Sequence, residues 1–190
     1  MNSTLAPTLL TRTLPRLNRR VRDLLLVVAG SLCVAGMAQV RIPLPFSPVP
    51  ITGQTFAVLV VGASLGSRRG VASLALYLLL GLLGLPFFAG GTSGLSVLLG
   101  PTGGYLIGFI IAAWLVGLLA ARGLDRKIPS ALLAFLAGEM VIYLFGVAWL
   151  SLYLGILHAI IAGFLPFLIG DAIKLVAAGL VLPAAWALVK

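Results

Sequence analysis

Asp171 and Lys174 carry opposite charges inside an apolar stretch, residues 164–188, that is long enough to cross a lipid bilayer. Because residues three apart share one face of a helix, the carboxylate and the ammonium can pair with each other or hold one ligand together. A charge within a membrane span is costly, so we expect both groups to face the protein interior. The pair is either a structural ion pair between helices or part of a binding site, and its place within the membrane favours the binding site.

The composition is that of an integral membrane protein. Of the 190 residues, 61% are hydrophobic and 9% are charged. The net charge of +9 comes from basic residues in short blocks between apolar runs, which is the arrangement of membrane topology signals rather than of a nucleic-acid-binding surface. Cys33 is the single cysteine, so the chain cannot form an intramolecular disulfide.

Apolar runs predict an all-α fold with six transmembrane helices, both termini in the cytoplasm, and long ordered outer loops. The runs cover residues 24–40, 56–65, 71–85, 104–120, 128–154 and 164–188. This topology places eleven of the thirteen Lys and Arg residues on the cytoplasmic side, in agreement with the positive-inside rule. The second and third runs are shorter than the roughly 20 residues that a helix needs to cross a bilayer. They are therefore tilted or extended, or they form one re-entrant hairpin in a four-span alternative.

Residues 1–23 are predicted to be a basic cytoplasmic tail, and residues 24–190 a six-helix membrane domain that binds a substrate. A cleaved signal peptide is the less favoured interpretation of the start, because further apolar spans follow. The segments 41–55, 86–103 and 155–163 are predicted to be outer loops. Because these loops would lie above Asp171 and Lys174, the sequence predicts a pocket that opens outward.

Four segments resemble the BioY family of biotin transporters. They are VPITGQTF at 49–56, GSRRG at 66–70, LLGPTGGYLIG at 98–108 and GDAIK at 170–174, and the likeness extends from about residue 27 to 190. Members of this family are the substrate-binding S components of energy-coupling factor (ECF) transporters. The resemblance implies biotin uptake across the cytoplasmic membrane of a prokaryote. Its partners would be biotin, membrane lipid, an ECF transmembrane coupling protein and a pair of ATPases, with no cofactor.

The chemistry of Asp171 and Lys174 agrees with this ligand. The ureido ring of biotin has two N–H donors and one carbonyl acceptor, so Asp171 would accept from an N–H and Lys174 would donate to the carbonyl. Such charge-assisted hydrogen bonds are strong, and they are more favourable away from water. Without ligand the two side chains can pair with each other, which avoids an unpaired buried charge.

The glycine-rich turn at residues 89–94 is the next candidate for ligand contact. Gly91 allows close backbone approach, and Thr92 and Ser93 offer hydroxyl groups. The resemblance implies a polar side chain from this loop on the ureido ring, and Ser93 matches that position. The alternative is a flexible turn that does not touch the ligand.

Two further candidates lie at the outer ends of spans. Gln54 either bonds the ligand or satisfies the proline-rich loop. The segment at 100–105 lacks the ending and the preceding strand of a phosphate-binding loop, which excludes nucleotide binding there. Free N–H groups at Gly103, Gly104 and Tyr105 could instead receive the ligand carboxylate, and the alternative is helix capping by Thr102.

Three more polar residues are assigned weaker roles. Arg41 could attract the ligand carboxylate, although a position at the lipid head-group boundary is favoured. Glu139 is expected near the midplane, either protonated and hydrogen-bonded or paired with Lys174, and we favour a supporting role over ligand contact. Tyr143, one turn further on the same face, is a candidate pocket wall.

Small residues on the first span form a candidate docking face for the coupling protein. S components dock through such residues because they allow helices to approach closely. The alternative is packing within the chain. The candidates are Ala29, Ser31, Cys33 and Ala35.

Other functional classes are less compatible with the residues. The chain has no P-loop and no acidic cluster for Mg²⁺, so ATP hydrolysis would come from partner chains. One histidine and four acidic residues do not suggest a metal site or an intramembrane enzyme. A passive channel is also less compatible, because the sequence shows no ring of pore-lining charges. An S component for another vitamin remains the main alternative.

Overall fold

Most of the chain is helical, and the computed structural model describes residues 4–187. Two short strands, β1 (Arg41–Ile42) and β2 (Ile51–Thr52), pair antiparallel with Arg41 opposite Thr52. Leu124–Arg126 and Leu165–Phe167 form single 3₁₀ turns. The helices are α1 (Leu5–Thr13), α2 (Arg19–Gln39), α3 (Gln54–Leu65), α4 (Ser67–Leu82), α5 (Leu95–Leu98), α6 (Gly103–Ala121), α7 (Ile128–Leu154), α8 (Ile156–Gly163) and α9 (Leu168–Ala187).

Four helical stretches in the described part of the chain are long and apolar enough to cross a membrane. They are α2, α6, α7 and the stretch Ile156–Ala187, which contains α8 and α9. The helices α3 and α4 have 12 and 16 residues, so they are short for a bilayer core. The prediction of a helical membrane fold is therefore confirmed at the level of these four helices, with a small β-ladder added.

Two segments differ from the predictions. Residues 155–163, predicted as an outer loop, form α8 because Gly155 adopts φ +75° and ends α7, after which an apolar run resumes the helix. The tail contains α1, whose Leu5 is 5% exposed and packs into a core cluster with α3 residues. The helix α2 begins at Arg19, where the side chain of Asn18 accepts a hydrogen bond from the Arg20 N–H. The predicted boundary at residue 23 therefore falls inside a helix.

Close helix packing around α6 depends on glycine. A Cβ atom at Gly62 of α3 would lie 2.8 Å from the backbone oxygen of Ala113 in α6. In the other direction, a Cβ atom at Gly117 of α6 would collide with the backbone at Ser67, where α4 begins. The absence of side chains at these two points lets α3 and α4 lie directly against α6.

The loop that follows α4 is tied to the ends of two helices. Gly94 donates its N–H to the carbonyl of Gly81 (2.8 Å), and Phe88 packs on Gly81 with none of its surface exposed. The amide of Gln39 at the end of α2 donates to the carbonyl oxygen of Phe88 (3.3 Å). These contacts hold the loop over the end of the bundle at which α2 ends and α3 begins.

Candidate functional site

A cavity of about 300 Å³ lies at the end of the bundle where α2 ends and α3 begins. Its rim comes from the segment between α2 and α3 and from the segment between α4 and α6, and its floor from α7 and α9. This volume lies at the lower end of the range for small-molecule sites. The predicted pocket beneath two of the long loops is thus present, and Asp171 and Lys174 line it.

Asp171 and Lys174 form an ion pair in the first turns of α9. The Nζ atom of Lys174 lies 2.7 Å from Oδ1 of Asp171. The Asp171 side chain is 5% exposed and that of Lys174 is 19% exposed, so water screens the pair weakly. Asp171 also accepts a hydrogen bond from the Tyr143 hydroxyl on Oδ2.

The end of β2 and the start of α3 complete the surroundings of the ammonium. Lys174 Nζ donates to the carbonyl oxygen of Thr52 (2.6 Å) and to the hydroxyl of Thr55 (3.3 Å). The Thr55 hydroxyl in turn donates to Oδ1 of Asp171 (3.2 Å). With Asp171 as its third partner, the ammonium uses all of its donors on protein atoms. A ligand that accepts from Lys174 must therefore take the place of one of these partners.

Gln54 lines the cavity but is already held by its neighbours. Its amide nitrogen donates to the Tyr77 hydroxyl (2.6 Å), and its amide oxygen accepts from the Thr52 hydroxyl (3.1 Å). The side chain is 5% exposed. Both predicted roles are therefore compatible with its position, since it borders the cavity and satisfies the loop.

Aromatic and aliphatic side chains form the cavity walls between its polar groups. Tyr143 packs edge-on against Phe164, with ring centroids 4.7 Å apart. Phe88, Phe109 and Phe167 also border the cavity and are buried. These surfaces can accommodate an apolar ring next to the ion pair.

Arg41 brings a second cation to the rim of the cavity. Its guanidinium lies against the backbone of Gly90, where a Cβ atom would overlap the Arg41 Cζ position. Gly90 has φ +69°, a conformation that favours glycine. Arg41 thus lies over the turn of the second loop and borders the cavity, a placement that the sequence did not favour.

The glycine-rich turn contributes less than predicted. Thr92 lines the cavity, and its hydroxyl donates to the carbonyl of Ala89 (3.2 Å). Gly91 and Ser93 are not among the residues that line the cavity. The turn directs Ala89 and Thr92 to the cavity instead, and the contact of Gly91 and Ser93 with a ligand stays a prediction.

The structure gives no support to the predicted carboxylate site at Gly104, which does not line the cavity. A Cβ atom there would collide with the Trp149 side chain and the Phe145 carbonyl, so Gly104 faces α7 rather than the cavity. The neighbouring N–H groups of Gly103 and Tyr105 donate to backbone carbonyls within the same turn. Side-chain capping by Thr102, the alternative, is not observed either.

Glu139 lies behind the cavity and does not line it. It is 3% exposed, and its Oε1 atom has no hydrogen-bond partner in residues 4–187. Within that range no ion pair joins it to Lys174. The predicted pairing with Lys174 is therefore wrong, and a supporting position behind Tyr143 agrees with the burial.

The predicted docking face on α2 divides into two groups. Ala29 and Cys33 are exposed and lie one turn apart. Ser31 and Ala35 are 0% and 6% exposed and face the bundle, so their assignment to an outward face is wrong. The pattern of small residues did not distinguish the two faces, since helix packing inside the chain also uses small residues.

Sequence reasoning missed the polar side chains that hold the ion pair. No contact with the pair is predicted for Thr55, although it follows Gln54 within a polar cluster that opens an apolar helix. Tyr105 was considered for its N–H alone, yet its side chain borders the cavity and its hydroxyl donates to the Gly163 carbonyl (2.6 Å). In both cases the side chain lies in the first turn of an apolar helix, and a polar residue at that position could have indicated a contact with the cavity.

Comparison with known proteins gives one consistent result. Residues 7–190 match the model of the BioY family. The biotin transporter BioY of Thermotoga maritima is 42% identical over 157 residues, which cover 82% of this chain and 92% of that protein. The probable biotin transporter BioY of Pyrococcus horikoshii is 43% identical over 134 residues, 70% of this chain and 78% of that protein. A crystal structure of the S component for biotin from an ECF-type ABC transporter superposes with a TM-score of 0.80 at 29% identity, and the match covers 88% of this chain and 92% of that one.

Proposed function

This chain belongs to the BioY family, and from that premise we propose that it binds biotin at the outer side of the membrane and acts as the S component of an ECF-type transporter. It is a multi-pass protein of the cytoplasmic membrane, with several helices of membrane length. The observation that carries the proposal is the ion pair of Asp171 and Lys174 on the floor of a cavity with apolar walls.

We assign the ureido ring of biotin to this pair. Asp171 would accept the ring N–H groups, and Lys174 would donate to the ring carbonyl. Before binding, the two groups satisfy each other and Thr55, which avoids the cost of an unpaired buried charge. On binding, Lys174 keeps its bond to the Thr52 carbonyl and exchanges another partner for the ligand. The exchange replaces protein hydrogen bonds with ligand hydrogen bonds, so little desolvation cost is added.

We assign the valerate carboxylate to Arg41. At the start of α6, Gly103 and Gly104 do not line the cavity, and the N–H groups of Gly103 and Tyr105 bond backbone carbonyls. Arg41 and Lys174 are the cations that line the described cavity, and the ureido ring would occupy Lys174. A guanidinium at the rim matches a carboxylate that points outward.

We propose six membrane crossings with both termini in the cytoplasm. Most of the basic residues lie before or at the start of α2, at the start of α4, and between α6 and α7, all on one side of the membrane in this topology. The short helices α3 and α4 would cross as a closely packed pair joined at Gly66. The cavity would then open to the outside.

We propose that a coupling protein docks on the exposed face of α2, at Ala29 and Cys33, and that ATP is hydrolysed by partner chains. Gly36 extends this face, since a Cβ atom there would meet nothing within 4 Å. Small exposed residues one turn apart allow a partner helix to approach closely.

The proposed ligand is tested by calorimetric titration of the purified chain in detergent with biotin, thiamine and riboflavin. Biotin alone is expected to bind, because its ureido group complements Asp171 and Lys174. Binding of a different vitamin would support the alternative, an S component for that vitamin. Failure of the folded chain to bind biotin would reject the assignment.

A further inference from the structure

A second recess lies at the opposite end of the bundle from the ligand cavity. It has a volume of about 230 Å³ and lies between α1, the start of α2 and the start of α4. The ligand cavity lies where α2 ends, so the length of α2 separates the two, roughly 30 Å. Binding at this recess would be an activity beyond the proposed function, and it would not depend on which ligand the cavity takes.

Three arginine side chains border this recess. Arg19 and Arg22 come from α2, and Arg69 comes from α4. Asp23 is the one carboxylate among the described lining residues, and its Oδ1 atom lies 2.8 Å from Nε of Arg69. One carboxylate balances one guanidinium, so the recess keeps an excess of positive charge.

The guanidinium groups of Arg22 and Arg69 are held in place but retain donors for a ligand. Arg22 donates from Nη1 to the Thr11 hydroxyl of α1 (2.8 Å), and Arg69 donates from Nε to Asp23. Each guanidinium carries several N–H donors in a planar fork, and these bonds use one donor of each. The Arg69 side chain is 26% exposed, so its charge is partly shielded from water.

The local electrostatics are unfavourable without an anion. The first turn of α2 contains Arg19, Arg20 and Arg22 and no acidic residue. The first turn of α4 contains Arg68 and Arg69, again with no acidic residue. Positive side chains at the positive end of a helix are destabilising, and an anion between the two helix starts would offset this repulsion.

We propose that the recess binds a phosphate group, the chemistry shared by an anionic phospholipid head group and free phosphate. Guanidinium forks match phosphate oxygens in pairs of parallel hydrogen bonds. Leu10 and Leu26 also line the recess and provide apolar surface next to the arginines, which suits the glycerol and upper acyl carbons of a lipid. Basic pockets between membrane helices bind anionic head groups in this way.

The test measures binding of dioleoyl phosphatidylglycerol to the purified full chain by native mass spectrometry. Phosphatidylcholine is the neutral lipid control, and inorganic phosphate without lipid is a separate arm. The variant R19Q/R22Q removes two lining guanidiniums. The matched control is R20Q/R68Q, because both residues are exposed, neither lines the recess, and two positive charges are likewise lost, one from the start of α2 and one from the start of α4.

Wild type and R20Q/R68Q are expected to retain phosphatidylglycerol over phosphatidylcholine. R19Q/R22Q should bind phosphatidylglycerol at least about tenfold more weakly, since hydrogen bonds to a charged group are lost. If inorganic phosphate shows the same dependence on Arg19 and Arg22, free phosphate is the source of the anion. Equal loss in both double variants, or no preference in wild type, would overturn the proposal. If R19Q/R22Q does not fold, R19K/R22K serves instead, and affinity equal to wild type would then count against a guanidinium site.

Discussion

Lys174 Nζ lies 2.6 Å from the Thr52 carbonyl oxygen and 2.7 Å from Oδ1 of Asp171, so the ammonium joins β2 to α9. The bond to Thr52 involves the residue that pairs with Arg41 in the β-ladder. The ion pair on the cavity floor is therefore connected to Arg41 at the rim through β2. Substitutions can still alter the ion pair and Arg41 separately.

Replacing Arg41 by Gln is expected to weaken biotin binding about tenfold to hundredfold. The reason is the loss of a charge-assisted hydrogen bond to the valerate carboxylate, worth about 1.5–3 kcal/mol. Biotin methyl ester, which has no carboxylate, should bind wild type and R41Q equally well. Calorimetric titration with both ligands measures the two ratios. If R41Q binds free biotin as wild type does, Arg41 marks the lipid head-group boundary instead.

A bulky residue on the outward face of α2 is expected to block docking. The variant C33W should lose co-purification with the ECF coupling protein while it keeps biotin affinity, because Cys33 is exposed and does not line the cavity. The matched control is L144W on α7, where Leu144 is 67% exposed. Normal co-purification of C33W, or equal loss in L144W, would place the docking surface elsewhere.

The turn between α3 and α4 should be accessible from the cytoplasm. In a C33S background, a single cysteine at Arg68 is expected to react with a membrane-impermeant maleimide in inverted vesicles and not in intact cells, since Arg68 is exposed in a basic turn. A cysteine at Phe46, which is 63% exposed in the loop before α3, should show the opposite pattern. Lack of reaction at residue 68 from either side would favour the re-entrant hairpin of the four-span alternative.

Protonation of Asp125 on acidification should raise the free energy of unfolding. Asp125 lies in the turn between α6 and α7 and is 1% exposed, with its Oδ2 atom 2.6 Å from the indole nitrogen of Trp186. Burial raises the pKa of this carboxyl, although the Trp186 hydrogen bond and nearby Arg126 oppose the rise. The folded protein then binds this proton more tightly than the unfolded chain does, so stability rises as pH falls through the raised pKa towards the unfolded value of about 3.9.

The variant D125N removes this titration. We expect the Tm of D125N minus the Tm of wild type to be larger at pH 7 than at pH 5. The reason is that the buried wild-type carboxylate is charged at the higher pH, which destabilises the wild type. Thermal unfolding followed by circular dichroism at the two pH values measures it. A difference that stays constant, or that favours the variant more at pH 5, would contradict the assignment.

Features determined by spacing and hydropathy were predictable from the sequence. The helix α7 runs over Ile128–Leu154, the same bounds as the predicted fifth span, because a basic turn precedes it and Gly155 ends it. The ion pair at Asp171 and Lys174 followed from charges three residues apart in an apolar stretch. Both are local properties of the chain.

Features that depend on which way a residue faces were not predictable. Gly104 was expected to face a ligand, but tertiary packing turns it towards Trp149. Ser31 and Ala35 alternate with exposed small residues on α2, and the neighbouring helix α4 decides which of them are buried. The helix α1 was missed because its burial rests on contacts such as that of Leu5 with the α3 region, which lies far away in sequence.

The central claim is that Asp171 and Lys174 bind the ureido ring, and calorimetric titration of biotin into wild type, D171N and K174A tests it most directly. D125N serves as the control, since Asp125 is a buried acid in the turn between α6 and α7 and does not line the cavity. We predict tight binding by wild type and D125N, and affinity reduced about a hundredfold or more in D171N and K174A. Wild-type affinity in folded D171N and K174A would contradict the claim and would make the pair a structural link between α3 and α9.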